Sequence, residues 1–197
     1  MSSPIGHSLA GLVIAAWREK SFKPKNLKVL ALYIFVANAP DLDFIPGVLI
    51  GKPNLYHHGI SHSIGAGLLF ALPIAFLINL KFWLKSGLKS ARRIWRDFFF
   101  MLSLYGSHLI LDLICMDGRP PFGIPILWPF TDRYFMIPLL PPVKHSHLDH
   151  ATIAQVLADI FSTHNLYVIG LEIILTVPFA LIILWWFRKH RLQAIGK

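Results

Sequence analysis

Charge is scarce in this chain. Of its 197 residues, 15% are charged and 55% are hydrophobic, with a mean hydropathy of +0.57. A soluble domain is about a quarter charged, so this deficit argues against a free soluble globule. Acids are the rarer sign, ten against nineteen Lys and Arg, for a formal charge of +9. A nucleic-acid partner therefore stays open until the charges are placed along the chain. The single cysteine, Cys115, excludes a disulfide scaffold, and the apolar content excludes intrinsic disorder. There is no internal repeat and no low-complexity tract. The N-terminal apolar run has no basic residue before it and no A-x-A site after it, so a secretory signal is not expected. The length fits one domain, residues 1–197.

What is present is apolar sequence in long blocks. A bilayer span needs roughly 20 apolar residues, which Ile60–Leu80 and Leu166–Phe187 supply. Phe98–Met116 is apolar apart from His108, Asp112 and small polar groups. Pro4–Trp17 and Leu27–Pro40 are shorter, and each is either a short span or half of a re-entrant hairpin. A hairpin would place Arg18, Lys20, Lys23, Lys25 and Lys28 in lipid, at about 2.5–3.5 kcal/mol per charge at mid-depth. Five spans are therefore expected. The fold class expected is all-α, an integral membrane helical bundle. The connection Asp117–Asn165, rich in proline and aromatics, is expected to form an outer cap against the membrane.

The basic residues alternate with the spans. Five lie between spans one and two, six between three and four (Lys81, Lys85, Lys89, Arg92, Arg93, Arg96) and four in the tail, against four in the other two connections. This asymmetry places the N-terminus outside and the C-terminus in the cytoplasm. Five of six tryptophans (Trp17, Trp83, Trp95, Trp185, Trp186) fall near the same inner boundary. The positive charge thus belongs to the cytoplasmic membrane surface, and no nucleic-acid partner is expected.

Histidines and acids gather on the other side. His7, His57, His58, His62, His108, His145, His147, His150 and His164 lie there with Asp41, Asp43, Asp112, Asp117, Asp132, Asp149 and Asp159. Imidazole with carboxylate is the ligand set of zinc, manganese or iron. Asp41 and Asp43, in APDLDF, close span two; His57 and His62, in HHGISHS, open span three; His7 is about one turn inside span one. His108 and Asp112 are four apart, hence on one helix face, roughly 12 and 6 Å from Met116 along the axis. Four helices thus bring ionisable groups to one level. Such groups inside a span are costly unless they pair or bind metal.

The order APDLDF, HHGISHS, GSHLILD, then DGRPPFGIPILWPF resembles the YdjM-type family of predicted membrane-bound metal-dependent hydrolases. That pattern runs D-x-D, H-R-G-x-T/S-H-S, S-H-x-x-x-D, then a Gly/Pro stretch ending in Pro-Phe, and it covers His7 to Phe130. The family is distantly similar to the zinc-dependent phospholipase C and single-strand nuclease superfamily. The resemblance implies one metal on His62, His108 and Asp112, with Asp112 able to bridge to a second ion on His7. It implies Asp41 or Asp43 as a further ligand or the general base, and His57 as the first histidine of its motif. Where the family has arginine this chain has His58, which removes a phosphate contact or supplies a ligand. The superfamily's late H-x-x-x-E pair is missing. His164 and Glu172, eight apart, are candidates to replace it, as are His145, His147 and His150.

The expected function is a metal-dependent hydrolase at the outer face of a bacterial cytoplasmic membrane. Its expected cofactor is one or two divalent ions, zinc first, with manganese or iron as alternatives. The expected substrate is a small-molecule or lipid phosphoester or phosphodiester, drawn from or held at membrane lipid. A metal-stabilised scaffold or regulatory protein is the alternative. A metal transporter is less favoured, because the inner runs ALYIFVA, ALPIAFLINL, FFFMLSL and FALIILWWF carry no ionisable residue.

Overall fold

The structure, a computed structural model, describes residues 2–19, 26–50, 52, 55–118, 120–144, 158 and 161–195. His145, His147, His150, Lys20, Lys23 and Lys25 lie outside the described residues. Helix α1 covers Pro4–Glu19, α2 Leu27–Ala37, α3 Phe44–Leu49, α4 Ile64–Ser86, α5 Ala91–Ile114 and α6 Thr163–Ile195. Among the described residues there are no strands, only two isolated bridges.

Local chemistry sets the boundaries. The Asn26 side chain caps α2 by accepting from Lys28 N–H, and Ser63 caps α4 by accepting from Ala66 N–H. At the far end of α2, the Asn38 amide donates to Ile34 O at 2.8 Å and to Ser8 Oγ at 3.0 Å. Pro40 then starts a 3-10 turn, Ala39–Asp43, that leads into α3. At Gly87, φ +51 favours glycine, and the chain turns back into α5.

Helix α5 is the central element, packed on α4, α1 and α2, while α6 packs on α1. Val36, Ala71, Ala75, Met101, Leu104, Tyr105 and Leu109 form the core of this contact. Small residues let the helices close: a Cβ on Gly11 would stand 2.5 Å from Ala37 Cβ. The opposite faces present Leu69, Leu77, Phe99, Ile110, Ile174 and Phe179, all exposed.

Two helical stretches have the length and composition to cross a membrane, Ile64–Ile114 (the α4–α5 hairpin) and Thr163–Ile182. A third exists if Leu27–Ala37 and Ala39–Leu49, bent by 67°, make one broken span. Length and composition thus support two or three candidate stretches for the spans expected. The expected second span does not run straight to Pro40, because the proline and the Asn38 cap break it there; α1 has only 16 residues.

The proline-rich segment after α5 is tied to the bundle by backbone bonds. Ile64 and Gly65 N–H donate to Ile126 O and Trp128 O at 3.0 and 3.1 Å. Leu139 and Leu140 N–H donate to Ile114 O at 3.0 and 2.9 Å. The segment therefore closes over the start of α4 and the end of α5, the end where His62 and Asp112 lie.

Candidate metal centre

Four side chains from three elements converge at that end. The 3-10 turn after α2 supplies Asp41, the turn before α4 supplies His62, and one face of α5 supplies His108 and Asp112. His62 Nε2 lies 3.3 Å from His108 Nε2, 3.5 Å from Asp41 Oδ1 and 3.5 Å from Asp112 Oδ2. His108 Nε2 lies 3.4 Å from Asp41 Oδ1 and 3.0 Å from Asp112 Oδ2. Ligands held at about 2.0–2.1 Å around a tetrahedral ion stand about 3.3 Å from one another. The five measured edges cluster around that length.

The atoms at the centre also lack other work. Asp41 Oδ1, Asp112 Oδ2, His58 Nε2 and both ring nitrogens of His7 are buried without a hydrogen-bond partner. Buried polar atoms are nearly always satisfied, so such a cluster of exceptions needs a cause. The far side of each ring histidine is, in contrast, engaged. His108 donates Nδ1–H to Ala37 O at 2.9 Å, and His62 Nδ1 faces Asp43 Oδ2 at 3.2 Å. These contacts leave the Nε2 lone pairs aimed at the centre, as metal-binding histidines require. Donor set, spacing and orphaned atoms all fit a divalent cation, and they do not specify which one.

Asp43 stands behind the ring. Its Oδ1 is 3.1 Å from His57 Nδ1, and its Oδ2 accepts from Ser61 Oγ at 2.7 Å as well as facing His62. The Tyr105 hydroxyl donates to Ser61 O and fixes this turn. His57 stacks on Phe44, and burial pushes its imidazole down to about 4, so it is neutral near pH 7. His7 stacks on His108 with ring centroids 3.5 Å apart, and its Nε2 is 3.5 Å from Asp112 Oδ1. His58 has φ +61, a conformation uncommon outside glycine. Its Nδ1 is 2.8 Å from Asp117 Oδ2, and its Nε2 is 3.9 Å from Asp112 Oδ2.

Two candidates lie elsewhere. Glu172, fully buried on α6, accepts from Ser2 Oγ at 2.5 Å, from Ser3 N–H at 2.8 Å and from the Ser3 hydroxyl. Its carboxylate is thus occupied by the N-terminal strap, whose Ser2 N–H donates to Asp112 Oδ1 at 2.9 Å. His164 Nε2 donates to Pro142 O at 2.9 Å. Neither residue joins the ring.

A family model described as YdjM inner membrane protein matches residues 1–191. The chain belongs to the YdjM family. It is therefore an inner membrane protein, and its two or three apolar helical stretches agree with that setting. Searches of the curated proteins and of the solved structures return no match.

Three residues of the site escaped sequence reading: Ser61, Ser2 and Tyr105. Ser61 stands inside HHGISHS, but its partner Asp43 is eighteen residues away. Ser2 reaches Asp112 through its backbone N–H, which no residue type reveals. Asp97 also escaped, lying one residue before FFFMLSL. It is buried with Asn79 of α4 at 2.8 Å and Arg18 of α1 at 2.6 Å, at the opposite end of α5.

Proposed function

We propose that the chain is a membrane-bound, metal-dependent hydrolase of phosphoesters or phosphodiesters at the outer face of the inner membrane. The observation that carries this reading is the ring of Asp41, His62, His108 and Asp112, whose unpartnered atoms point inward beside an open cleft. A transport path is less favoured, because the only buried acid described at the other end, Asp97, is already paired with Arg18.

A divalent ion in the ring, with zinc the first choice, supplies Lewis-acid polarisation of the phosphoryl group and of the attacking water. The chain's own residues do the rest. His62 and His108 are held by Asp43 and Ala37 O in the orientation that binds the ion. Asp41 sits among the ligands, so of the two acids considered as base, Asp43 is the better placed, since it lines the cleft. Water oxygen bonds to phosphorus as its proton passes to Asp43, the P–O ester bond breaks, and the leaving alkoxide takes that proton from Asp43. His7 is the candidate to hold a second ion with Asp112. The chain's topology in this reading has an outside N-terminus, a cytoplasmic C-terminus, five crossings and the segment after α5 as an outer cap.

The test is hydrolysis of a panel of phosphomonoesters and phosphodiesters, water-soluble and lipid, by protein reconstituted with zinc, manganese or iron. Hydrolysis that requires metal and disappears in His108→Ala is expected. A metal-loaded protein that cleaves nothing in the panel would favour the scaffold alternative. Cysteine labelling at Lys89 and Lys144 should report opposite sides of the membrane; the same side for both contradicts the topology.

A further inference from the structure

Beside the ring lies a cleft of about 730 Å³ that neither the ligand geometry nor the helix packing requires. One wall is polar and belongs to the centre: Asp43, His57, His58, Ser61 and Asp117. The other wall is apolar, built by Pro46 of α3, Leu55 and Tyr56 of the next loop, and Pro120, Pro121 and Tyr134 of the segment after α5. Among the described residues no lysine or arginine lines it, and its two acids are both paired with histidine.

The apolar wall does not end at the cleft. Helix α3 continues it outward with Ile45, Val48 and Leu49, which are 53%, 60% and 80% exposed, and Leu55 and Tyr56 are about half exposed. Helix α3 is also the end of the second limb, Ala39–Leu49, of the bent pair that qualifies as a broken membrane span. In an inner membrane protein this continuous apolar surface is suited to lipid, and the cleft runs from it to His58, whose Nε2 is 3.9 Å from Asp112 Oδ2. A water-soluble phosphoester would gain nothing from the apolar wall. An amphiphile would bury its chain against the prolines and tyrosines, a favourable transfer of about 25 cal/mol per Å² of apolar area.

We infer that the cleft binds a membrane lipid, whose hydrocarbon chain lies along Pro46, Leu55, Tyr56, Pro120, Pro121 and Tyr134 while its ester-bearing headgroup reaches His58, beside Asp112 of the ring. The inference rests on the hydrolase reading and names its substrate class: a bilayer lipid delivered sideways, not a soluble phosphoester. Tyr56 and Tyr134 set the width for the chain, and the His58–Asp117 pair marks the boundary between chain and headgroup.

The experiment separates binding from hydrolysis. Full-length, metal-loaded protein is placed in vesicles of phosphatidylethanolamine and phosphatidylglycerol that contain a phosphatidylglycerol with a diazirine in its acyl chain. After irradiation the labelled peptides are mapped by mass spectrometry, and metal content is measured on the same sample. Saturable labelling concentrated in 55–60 and 120–134 is expected, falling at least tenfold in Leu55→Arg and Tyr134→Asp with metal content unchanged. Labelling spread evenly over the exposed faces of α4 and α6, with no enrichment at the cleft, would overturn the inference. So would hydrolysis of a short-chain soluble phosphodiester as efficient as that of its long-chain lipid counterpart. Absence of metal from the wild type would sink the hydrolase reading while leaving the labelling pattern to decide lipid binding by itself.

Discussion

The two ends of α5 bury the same residue type and treat it in opposite ways. Asp97 and Asp112 lie fifteen residues apart, about 22 Å along the helix axis. Asp97 has donors on both oxygens: Arg18 at 2.6 Å and Arg96 at 3.4 Å on Oδ1, and Asn79 at 2.8 Å on Oδ2. Asp112 has its Oδ1 satisfied by Ser2 N–H, while Oδ2 faces two histidine nitrogens and a second carboxylate without a hydrogen bond. The first cluster brings its own cation, an arginine. The second gathers acceptors and lone pairs and leaves the positive charge to be supplied from outside. Burial of an acid is therefore not the mark of a site here; burial with inward-facing, unpartnered atoms is.

The contrast can be broken most directly at the ring. Substituting His62, His108 or Asp112 by alanine should lower metal affinity by about a thousandfold or more, because the remaining groups no longer define a tetrahedron. Because bound metal stabilises the folded state by about 2.7 kcal/mol at a hundredfold excess over Kd, chelation should lower the thermal midpoint of the wild type in detergent. That shift should vanish in His108→Ala. In Asp97→Ala the shift should persist in full, on a protein whose baseline stability is lower by about 3 kcal/mol, the usual cost of breaking a buried ion pair. A chelator shift that vanished in the Asp97 variant as well would mean the two ends are not independent.

A smaller effect is expected behind the ring. Asp43→Asn keeps the shape but weakens the hold on His62, so metal affinity should fall by about tenfold, within the range for groups that orient metal-bound histidines. At saturating metal its turnover should fall by about a hundredfold, as removal of a general base requires. Equal loss in both would make Asp43 a positioning group only.

The smallest change belongs to the strap. Glu172→Ala frees Ser2 and Ser3, and with them the donor on Asp112 Oδ1; a loss of a few-fold up to about tenfold in metal affinity is expected. The visible spectrum of the cobalt-substituted protein should change as well, and Ser2→Pro, which removes the same N–H, should reproduce it. An unchanged spectrum in both variants would leave Glu172 as packing between α6 and the N-terminal strap.

How much of this was legible in the sequence follows from the kind of contact involved. The four-residue spacing of His108 and Asp112 put them on one face of one helix, which local geometry guarantees. Helix ends were enough to bring His62 and the Asp41–Asp43 pair to the same level. Spacing could not divide labour between the two aspartates. A 3-10 turn points residues two apart in different directions, so Asp41 enters the ring while Asp43 turns to His57, His62 and Ser61. Nor could it place Glu172, whose partners are a backbone N–H and two hydroxyls about 170 residues away. Apolar length suggested a second straight span over Leu27–Pro40, but the Asn38 cap and Pro40 convert that length into a bend. The legible part is what one helix or one loop dictates, and the remainder depends on how distant segments pack.

The central claim is that the ring holds a divalent cation. Its most direct test is the metal content of full-length protein purified without chelators, measured by inductively coupled plasma mass spectrometry for wild type, His108→Ala and Asp97→Ala side by side. The account predicts at least one equivalent of a divalent transition metal per chain in wild type and Asp97→Ala, and less than a tenth of that in His108→Ala. Wild type without metal, or His108→Ala with an undiminished share, would contradict it.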